Sequence, residues 1–301
     1  MKRPVVYAHR GASGYAIENT IPSFQLAIKM KADAVEFDVQ LTSDGGVVVF
    51  HDFTLGRLFN TDKSVSALKM DEIRQYTFHD TADGKPVNIP ILEELLAVIG
   101  HKIAMNIELK SQSPDPSVLY RLCEEVFRLI KKHSLMKEVI VSSFNIDAVK
   151  QMRNLSNDVK VALLVDELSP EIPVYGHDRA DSLVNPRPKP RLGTPPPLVK
   201  GGEGGFEVSS PPFSKGLHTL SFYIETAKGL SADTINMSYL LADSAVISKV
   251  HDSGLRLNVY TVNDEELLKT LTDTGVDGFF TNYPDVALKV IAQETARSAG
   301  R

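Results

Sequence analysis

The chain of 301 residues contains one cysteine, no tryptophan and no long run of apolar residues. Because Cys123 has no second cysteine to pair with, the sequence excludes an internal disulfide framework and a zinc site built from cysteines. No apolar run approaches the roughly 20 residues that a membrane-spanning helix requires. The apolar residues after Lys2 and Arg3 are also too few for the apolar region of a signal peptide. We therefore expect a cytoplasmic protein without stable membrane insertion.

An excess of charge of one sign is also missing. The chain has 33 lysines and arginines against 38 aspartates and glutamates, a formal net charge of −5. It has no basic stripe and no arginine-rich arm, so a nucleic-acid partner is not expected. Hydrophobic residues make up 43% of the chain, which is enough for one large domain or two small ones. The oligomeric state stays open.

Short β-branched segments alternate with segments of helical periodicity along most of the chain. Residues 4–9 and 34–40 are typical strands, and residues 20–31 between them predict a helix. Residues 47–52 follow the second strand after a turn too short for a crossover helix, so they predict the antiparallel return arm of a hairpin. Eight strands remain, each followed by helical sequence. This pattern favours an α/β fold, a (β/α)8 TIM-like barrel, over an open sheet, and we expect one barrel domain over residues 1–301.

Two segments interrupt this alternation. Residues 53–90 combine weak helical signals with many turn residues, which predicts a small excursion over the barrel mouth after the second strand. Residues 176–216 are rich in proline and glycine and have no apolar periodicity, which predicts a disordered loop inserted into the barrel. The run PRPKPRLGTPPP leaves open the recognition of a partner through polyproline II structure. An in-frame insertion of a mobile repeat would also account for this composition.

Acidic side chains lie within and after the predicted strands. Glu36 and Asp38 alternate with apolar residues in the strand DAVEFDVQ, so both acids share one face. Glu108 ends the next barrel strand, and in such barrels functional groups lie where the strands end. Three converging carboxylates suit one divalent cation, Mg²⁺ or Ca²⁺, better than zinc, because all the donors are oxygens. A salt-bridge network with Lys110 and Arg10 is an equally good interpretation of the spacing.

Two of the eight histidines end strands that are predicted to open on the same rim. His9 ends the first strand and His51 ends the return arm of the hairpin, so the two imidazoles can act as general base and general acid in one reaction. Arg10 offers a planar donor fork suited to a phosphate. With the acids and Lys110, these residues predict a site of phosphoryl transfer. The remaining histidines predict ordinary structural roles: His79, His101, His133, His177, His218 and His251.

Several motifs together resemble one known family. The chain contains, in order, the blocks AHRGASGYAIENTIPSFQLAI, VEFDVQLTSDGGVVVFHD, NIELK, VSSF, NVYTVN and GVDGFFTNYPD. In that order they resemble the glycerophosphodiester phosphodiesterase family, over nearly the whole chain except residues 176–216. The paired HRG…ENT and ExD…DG…HD blocks are highly specific. The resemblance implies a TIM-like barrel that hydrolyses glycerophosphodiesters, which are small molecules, to glycerol 3-phosphate and an alcohol.

The resemblance also implies roles for particular residues. Matched to the family's motifs, the metal ligands are Glu36, Asp38 and Glu108, the catalytic histidines are His9 and His51, and the phosphate-binding residues are Arg10 and Lys110. Glu18 and Asn19, in the ENT block, would support the site from the first loop. Which histidine acts as the acid and which as the base stays open. So does the choice between direct attack by water and formation of a cyclic phosphate. The metal and the preferred alcohol are open as well.

The chain departs from the family pattern at three places. Tyr260 replaces the usual tryptophan, Asn282 replaces a common aspartate, and the run after Arg57 is unusual. These changes bear on substrate preference more than on the metal or the histidines.

Two rival functions are left. A phospholipase D-like enzyme or a cyclising phosphodiester lyase on the same barrel would act on lipids and would need an apolar platform for membrane contact. The chain has no tryptophan, and residues 53–90 contain no strong amphipathic anchor. The other rival is a binding protein that the insertion has inactivated.

Overall fold

The computed structural model describes residues 3–79, 84–169 and 218–299. The strands are β1 (Val5–His9), β2 (Ala34–Leu41), β3 (Val47–Val49), β4 (Thr77–Phe78), β5 (Val87–Asn88), β6 (Ala104–Leu109), β7 (Val139–Ser143), β8 (Lys160–Val165), β9 (Thr234–Ser238), β10 (Arg256–Tyr260) and β11 (Gly278–Thr281). The α-helices are α1 (Ile21–Lys29), α2 (Gly56–Phe59), α3 (Met70–Ile73), α4 (Leu92–Ile99), α5 (Pro116–Lys132), α6 (Ile146–Leu155), α7 (Leu220–Gly229), α8 (Ser244–Asp252), α9 (Glu265–Thr274) and α10 (Pro284–Ala299). The predicted insertion, residues 176–216, lies outside the described residues.

Eight of these strands form a closed parallel barrel, which confirms the predicted (β/α)8 architecture. They are hydrogen-bonded in the order β1, β11, β10, β9, β8, β7, β6, β2, and β2 pairs again with β1. A helix lies between each barrel strand and the next along the chain. β3 pairs antiparallel with β2, as the short turn between them predicts. Within the described ranges, no helix is long and apolar enough to cross a bilayer.

The register of the first three barrel strands places acidic and imidazole groups side by side. His9 lies opposite Glu36 in the β1–β2 pair, and Asp38 lies opposite Glu108 in the β2–β6 pair. β2 continues beyond Asp38 to Leu41, because the hairpin with β3 extends it. The two acids therefore lie within the strand, as the predicted strand over residues 34–40 implies. Since alternate residues of a strand share a face, both acids point into the barrel mouth.

The hydrophobic core lies between the barrel and its ring of helices. Phe24 of α1 and Phe37 of β2 are fully buried and meet edge to face, with ring centroids 5.5 Å apart. A second, smaller apolar cluster contains Tyr7, Ala34 and Phe280. Full burial of one large apolar side chain contributes roughly 1.5–3 kcal/mol. This packing holds β1 and β2, which carry most of the polar residues of the mouth.

The segment that follows β3 builds a core of its own beside the barrel mouth. It contains α2, a 3-10 turn, α3 and the β4–β5 hairpin. Its buried apolar cluster is formed by Val48, Phe50, Leu55, Val65, Leu68, Ile73 and Ile89. Lys110 Nζ lies 5.6 Å from the centroid of the Phe53 ring, so the segment reaches the mouth, as predicted for residues 53–90.

The loop between β1 and α1 is pressed against the start of the helix. Gly11 has a φ of +81°, and a Cβ there would lie 2.3 Å from Ser23 Oγ, so only glycine allows this approach. Thr20 caps α1, because its side chain accepts a hydrogen bond from the Ser23 amide. Ser23 Oγ also donates to the Arg10 carbonyl oxygen at 3.0 Å. These contacts fix the backbone of Arg10 at the mouth.

Candidate active site

Three carboxylates meet at the barrel mouth. One ligand oxygen from each of Glu36, Asp38 and Glu108 lies within 4.8 Å of the other two. Glu36 and Asp38 are only 4% and 1% exposed, so water screens their repulsion weakly. Asn19 Nδ2 donates to Asp38 Oδ2 at 2.9 Å, and the Arg10 amide donates to Glu36 Oε2 at 3.0 Å. The structure thus brings together the three acids that the sequence indicates.

Burial and mutual repulsion change how these carboxyl groups ionise. Burial, together with the charges of Asp38 and Glu108, raises the pKa of Glu36 well above its usual value. Burial also raises the pKa of Glu108. Burial acts in the same direction on Asp38, but the Lys110 ammonium and other nearby positive charges hold its pKa below the usual range. The cluster therefore has more negative charge than its surroundings stabilise.

Two basic side chains supply part of the missing positive charge. Lys110 Nζ lies 3.6 Å from Asp38 Oδ1 and 3.4 Å from Glu108 Oε1. Arg10 Nε lies 3.4 Å from Asp38 Oδ2. Burial by itself favours the neutral amine of Lys110. The charges of Glu108 and Asp38 outweigh burial, so the pKa of Lys110 is raised above its usual value and the ammonium is retained. Part of the predicted salt-bridge network is therefore present, but two cations face three carboxylates.

The cluster fits one divalent cation. Its donors are all carboxylate oxygens, the set that Mg²⁺ and Ca²⁺ prefer over thiolate and imidazole donors. The raised pKa of Glu36 and Glu108 shows that added positive charge would be stabilising there. Glu36, Asp38 and Glu108 are thus the residues that could hold such an ion.

His9 lies at the edge of the cluster. Its Nδ1 lies 2.8 Å from the amide oxygen of Asn282, which accepts a hydrogen bond and leaves Nε2 directed at the acids. His9 Nε2 is 3.9 Å from Glu36 Oε2. Burial, and then the charge of Arg10, lowers the pKa of His9 to about 4. The ring is therefore neutral at physiological pH.

His51 approaches the mouth from the hairpin side and has a charged partner. Its Nδ1 lies 2.6 Å from Asp52 Oδ1. Gln40 Nε2 donates to the carbonyl oxygens of Phe50 and Asp52 at 2.7 and 2.9 Å, which fixes the backbone on both sides of His51. Burial opposes ionisation of Asp52, but its hydrogen bonds to His51 and Arg57 hold its pKa well below the usual range. His51 is thus oriented by a carboxylate, whereas His9 is oriented by a neutral amide.

The histidines and acids could be named from the sequence, but the groups that orient them could not. Asp52 and Asn282 contact the two imidazoles, and Arg57 contacts Asp52. An acid directly after a histidine at a strand end was a usable signal for Asp52. Asn282 was expected to bear on substrate preference more than on the histidines, and this expectation was wrong, because its amide oxygen contacts His9. No local pattern assigns an orienting role to Asn282 or Arg57, because each meets its partner only after the barrel closes. Glu18, expected only to support the site, contacts Arg10 Nη1 at 3.0 Å.

The histidines predicted to be structural make contacts of their own. His101 Nδ1 lies 3.4 Å from Glu138 Oε1, and His251 Nε2 lies 2.8 Å from Asp277 Oδ2. These pairs connect secondary-structure elements and involve none of the mouth acids. His177 lies outside the described residues.

The mouth brings carboxylate, cationic and imidazole groups together at one rim. It offers oxygen donors for a metal, positive charge for a phosphate and two imidazoles for proton transfer, all at the rim where (β/α)8 enzymes carry their chemistry. This fold and this site together define a class of proteins, the (β/α)8-barrel hydrolases of phosphate esters.

Comparisons with known proteins narrow this class. A family model, the glycerophosphoryl diester phosphodiesterase family, matches residues 9–180 and 212–286. A glycerophosphodiester phosphodiesterase of Bacillus subtilis (strain 168) is 29% identical over 300 residues, covering 96% of this chain and 86% of that protein. A lysophospholipase D of Homo sapiens is 25% identical over 288 residues, covering 92% and 82% respectively. The solved structure of an Oleispira antarctica phosphodiesterase in complex with the product sn-glycerol-3-phosphate superposes with a TM-score of 0.71, at 23% identity and over 96% of this chain and 97% of that one.

The chain belongs to the glycerophosphoryl diester phosphodiesterase family, which confirms the resemblance seen in its motifs. Its enzyme class is accordingly that of a phosphoric diester hydrolase. The family match stops at residue 180 and resumes at residue 212. This break falls inside the segment that the sequence singled out as an insertion.

Proposed function

We propose that this enzyme hydrolyses a small glycerophosphodiester to glycerol 3-phosphate and an alcohol, with one divalent cation and a histidine pair. The observation that carries the proposal is the convergence of three carboxylate oxygens beside an imidazole and a lysine. The product bound in the Oleispira antarctica relative supports the same product here. The proposal keeps the expectation of a cytoplasmic enzyme.

The acids provide the metal site in this proposal. Glu36, Asp38 and Glu108 would hold Mg²⁺ or Ca²⁺ through their carboxylate oxygens. When bound, the cation supplies Lewis-acid polarisation of a phosphate oxygen and of one glycerol hydroxyl.

The basic residues bind the rest of the phosphate charge. Arg10 Nε is buried and lies 3.4 Å from Asp38 Oδ2, but it makes no hydrogen bond among residues 3–79, 84–169 and 218–299, so its N–H is a donor that a phosphate oxygen can accept. Lys110 Nζ sits between two carboxylates and the Phe53 ring, where it keeps its proton and can pair with a second oxygen. Both side chains are largely buried, at 18% and 11% exposed, which limits where the phosphate can lie.

The histidines move the protons. Hydrolysis forms a bond from the attacking oxygen to phosphorus and breaks the bond from phosphorus to the leaving oxygen. One proton must leave the nucleophile, and one must reach the departing alkoxide. His9 presents Nε2 because Asn282 holds its Nδ1, and His51 presents Nε2 because Asp52 holds its Nδ1. One ring takes the first proton and the other donates the second, a contribution on the order of 10²–10⁴ in rate.

A second candidate is lysophospholipase D activity, because a lysophospholipase D is among the relatives. The same bond is broken in both reactions, but the second substrate carries an acyl chain. The two functions therefore differ in the groups around the mouth that meet the glycerol side of the substrate, and not in the acids or histidines.

Side-by-side hydrolysis of two substrates tests the proposal. Glycerophosphocholine and lysophosphatidylcholine are each given to the enzyme with Mg²⁺ or Ca²⁺, and choline is measured together with the phosphorylated product. We expect glycerol 3-phosphate from glycerophosphocholine at the higher kcat/KM. Faster formation of lysophosphatidic acid would replace the proposal with the second candidate. Uptake of ¹⁸O from labelled water, with a search for cyclic glycerophosphate, then distinguishes direct attack from a cyclic intermediate.

A further inference from the structure

Arg57 joins two carboxylates that lie on different segments of the chain. Its Nε and Nη2 donate to Asp52 Oδ2 and Oδ1 at 2.6 and 3.2 Å. Its Nη2 and Nη1 donate to Glu18 Oε1 and Oε2 at 2.6 and 3.0 Å. The planar guanidinium thus donates two hydrogen bonds to each carboxylate, a geometry that lysine cannot reproduce.

Each of these carboxylates also accepts a hydrogen bond from a residue with a role in the proposed reaction. Asp52 accepts a hydrogen bond from His51 Nδ1, and Glu18 Oε1 accepts one from Arg10 Nη1 at 3.0 Å. Glu18 Oε1 is therefore shared between two guanidinium groups. Through Arg57, the orientation of the proton-transfer group His51 is tied to that of the phosphate-binding group Arg10.

The position of Arg57 is fixed by packing on both sides. Leu55, two residues before it, is fully buried in the core of the segment after β3. Phe59, two residues after it, lies with its ring 4.6 Å from Phe78 and 6.3 Å from Phe50. The buried side chain before α2 and the ring contacts at its end thus hold the short helix that carries Arg57 against the core of this segment.

The alternative is an ordinary surface ion pair, since the Arg57 side chain is 47% exposed. Such pairs contribute little to stability. On this alternative, loss of the Arg57 guanidinium would leave kcat unchanged. Resting on the proposed function, we propose that Arg57 is a positioning residue that sets the geometry of His51 and Arg10 by bridging Asp52 and Glu18.

The test compares Arg57→Ala with Arg74→Ala. Arg74 is a matched control from the same segment, because it pairs with Glu94 at 2.8 Å and is 44% exposed. We expect Arg57→Ala to lower kcat for glycerophosphocholine about 10-fold to 100-fold with a smaller change in KM, while Arg74→Ala keeps both. Millimolar guanidinium should restore part of the lost kcat in Arg57→Ala. The kcat of Arg57→Lys should stay low, since one ammonium cannot donate two hydrogen bonds to each of the two carboxylates.

A double-mutant cycle with Asp52→Asn shows whether Arg57 acts through Asp52. If it does, Arg57→Ala adds little loss of kcat in the Asp52→Asn background, a non-additivity typical of residues in one network. Wild-type kcat in Arg57→Ala, or an equal loss in Arg74→Ala, overturns the positioning role. So does full additivity in the cycle. A wild-type enzyme that releases no glycerol 3-phosphate overturns the proposed function instead, so the two failures are distinct.

Discussion

Replacing Glu36 by glutamine should stabilise the metal-free protein. The substitution removes one of three buried carboxylates whose ligand oxygens lie within 4.8 Å of one another. At an effective dielectric constant of about 20, unit charges at that distance repel by about 3.5 kcal/mol, and Glu36 takes part in two such pairs. The charge of Arg10 and the hydrogen bond from its amide offset most of this repulsion, and we expect a net gain of about 2 kcal/mol at pH 8. The glutamine side chain keeps an oxygen acceptor, so the hydrogen bond from the Arg10 amide is retained in the variant.

The gain should depend on pH with a definite sign. Because the folded-state pKa of Glu36 is raised above its ordinary value of 4.5, the unfolded chain releases its proton first as the pH rises. Wild-type protein in chelator therefore loses stability as the pH rises from about 4.5 toward the raised value. Glu36→Gln lacks this loss, so the two proteins should converge in acid.

Thermal unfolding in chelator measures the effect. For a chain of this size, 2 kcal/mol corresponds to a rise in Tm of about 3 °C. Added Mg²⁺ or Ca²⁺ at a hundredfold excess over Kd should stabilise the wild type by about 2.7 kcal/mol and Glu36→Gln by much less. Glu124→Gln, an exposed change in α5, is the control. If Glu36→Gln is no more stable than the wild type in chelator, or gains as much stability from the metal, then Glu36 is neither a source of repulsion nor a metal ligand.

Three further predictions concern the histidines and the core. His9→Ala and His51→Ala should each lower kcat/KM by on the order of 10²–10⁴ while isothermal titration calorimetry still detects metal binding, since neither ring is a proposed ligand. Asn282→Asp should raise the pKa of His9 from about 4, because a carboxylate replaces the amide at Nδ1, and an NMR titration of the metal-free protein measures the change. Phe24→Ala should destabilise the protein by about 3–5 kcal/mol in urea unfolding, because it removes the ring that packs against Phe37.

Most of the fold could be predicted from the sequence. Alternating β-branched and helical segments indicated the eight barrel strands, and the short turn before Val47 indicated the antiparallel arm. β2 was predicted to within one residue, as 34–40 against Ala34–Leu41, whereas the return arm was predicted too long, as 47–52 against Val47–Val49, because only these three residues pair with β2. Local periodicity does not report such a tertiary contact.

Part of the candidate site could be predicted from the sequence. Glu36, Asp38 and Glu108 could be grouped because the ends of parallel barrel strands meet at one rim. The partners Asn282 and Arg57 could not, since they lie 273 and 39 positions from the residues they contact, His9 and Glu18. Their contacts arise from barrel closure and from the packing of α2, which no local pattern encodes.

The most direct measurement is the rate of glycerol 3-phosphate release from glycerophosphocholine, with Mg²⁺, with Ca²⁺ and with chelator, by the wild type and by His51→Ala. We expect release that requires a divalent cation and is almost abolished in His51→Ala. Release that persists in chelator, or that His51→Ala leaves unchanged, would contradict the metal and histidine roles. A folded wild-type protein with no release under any condition would contradict the proposed reaction itself.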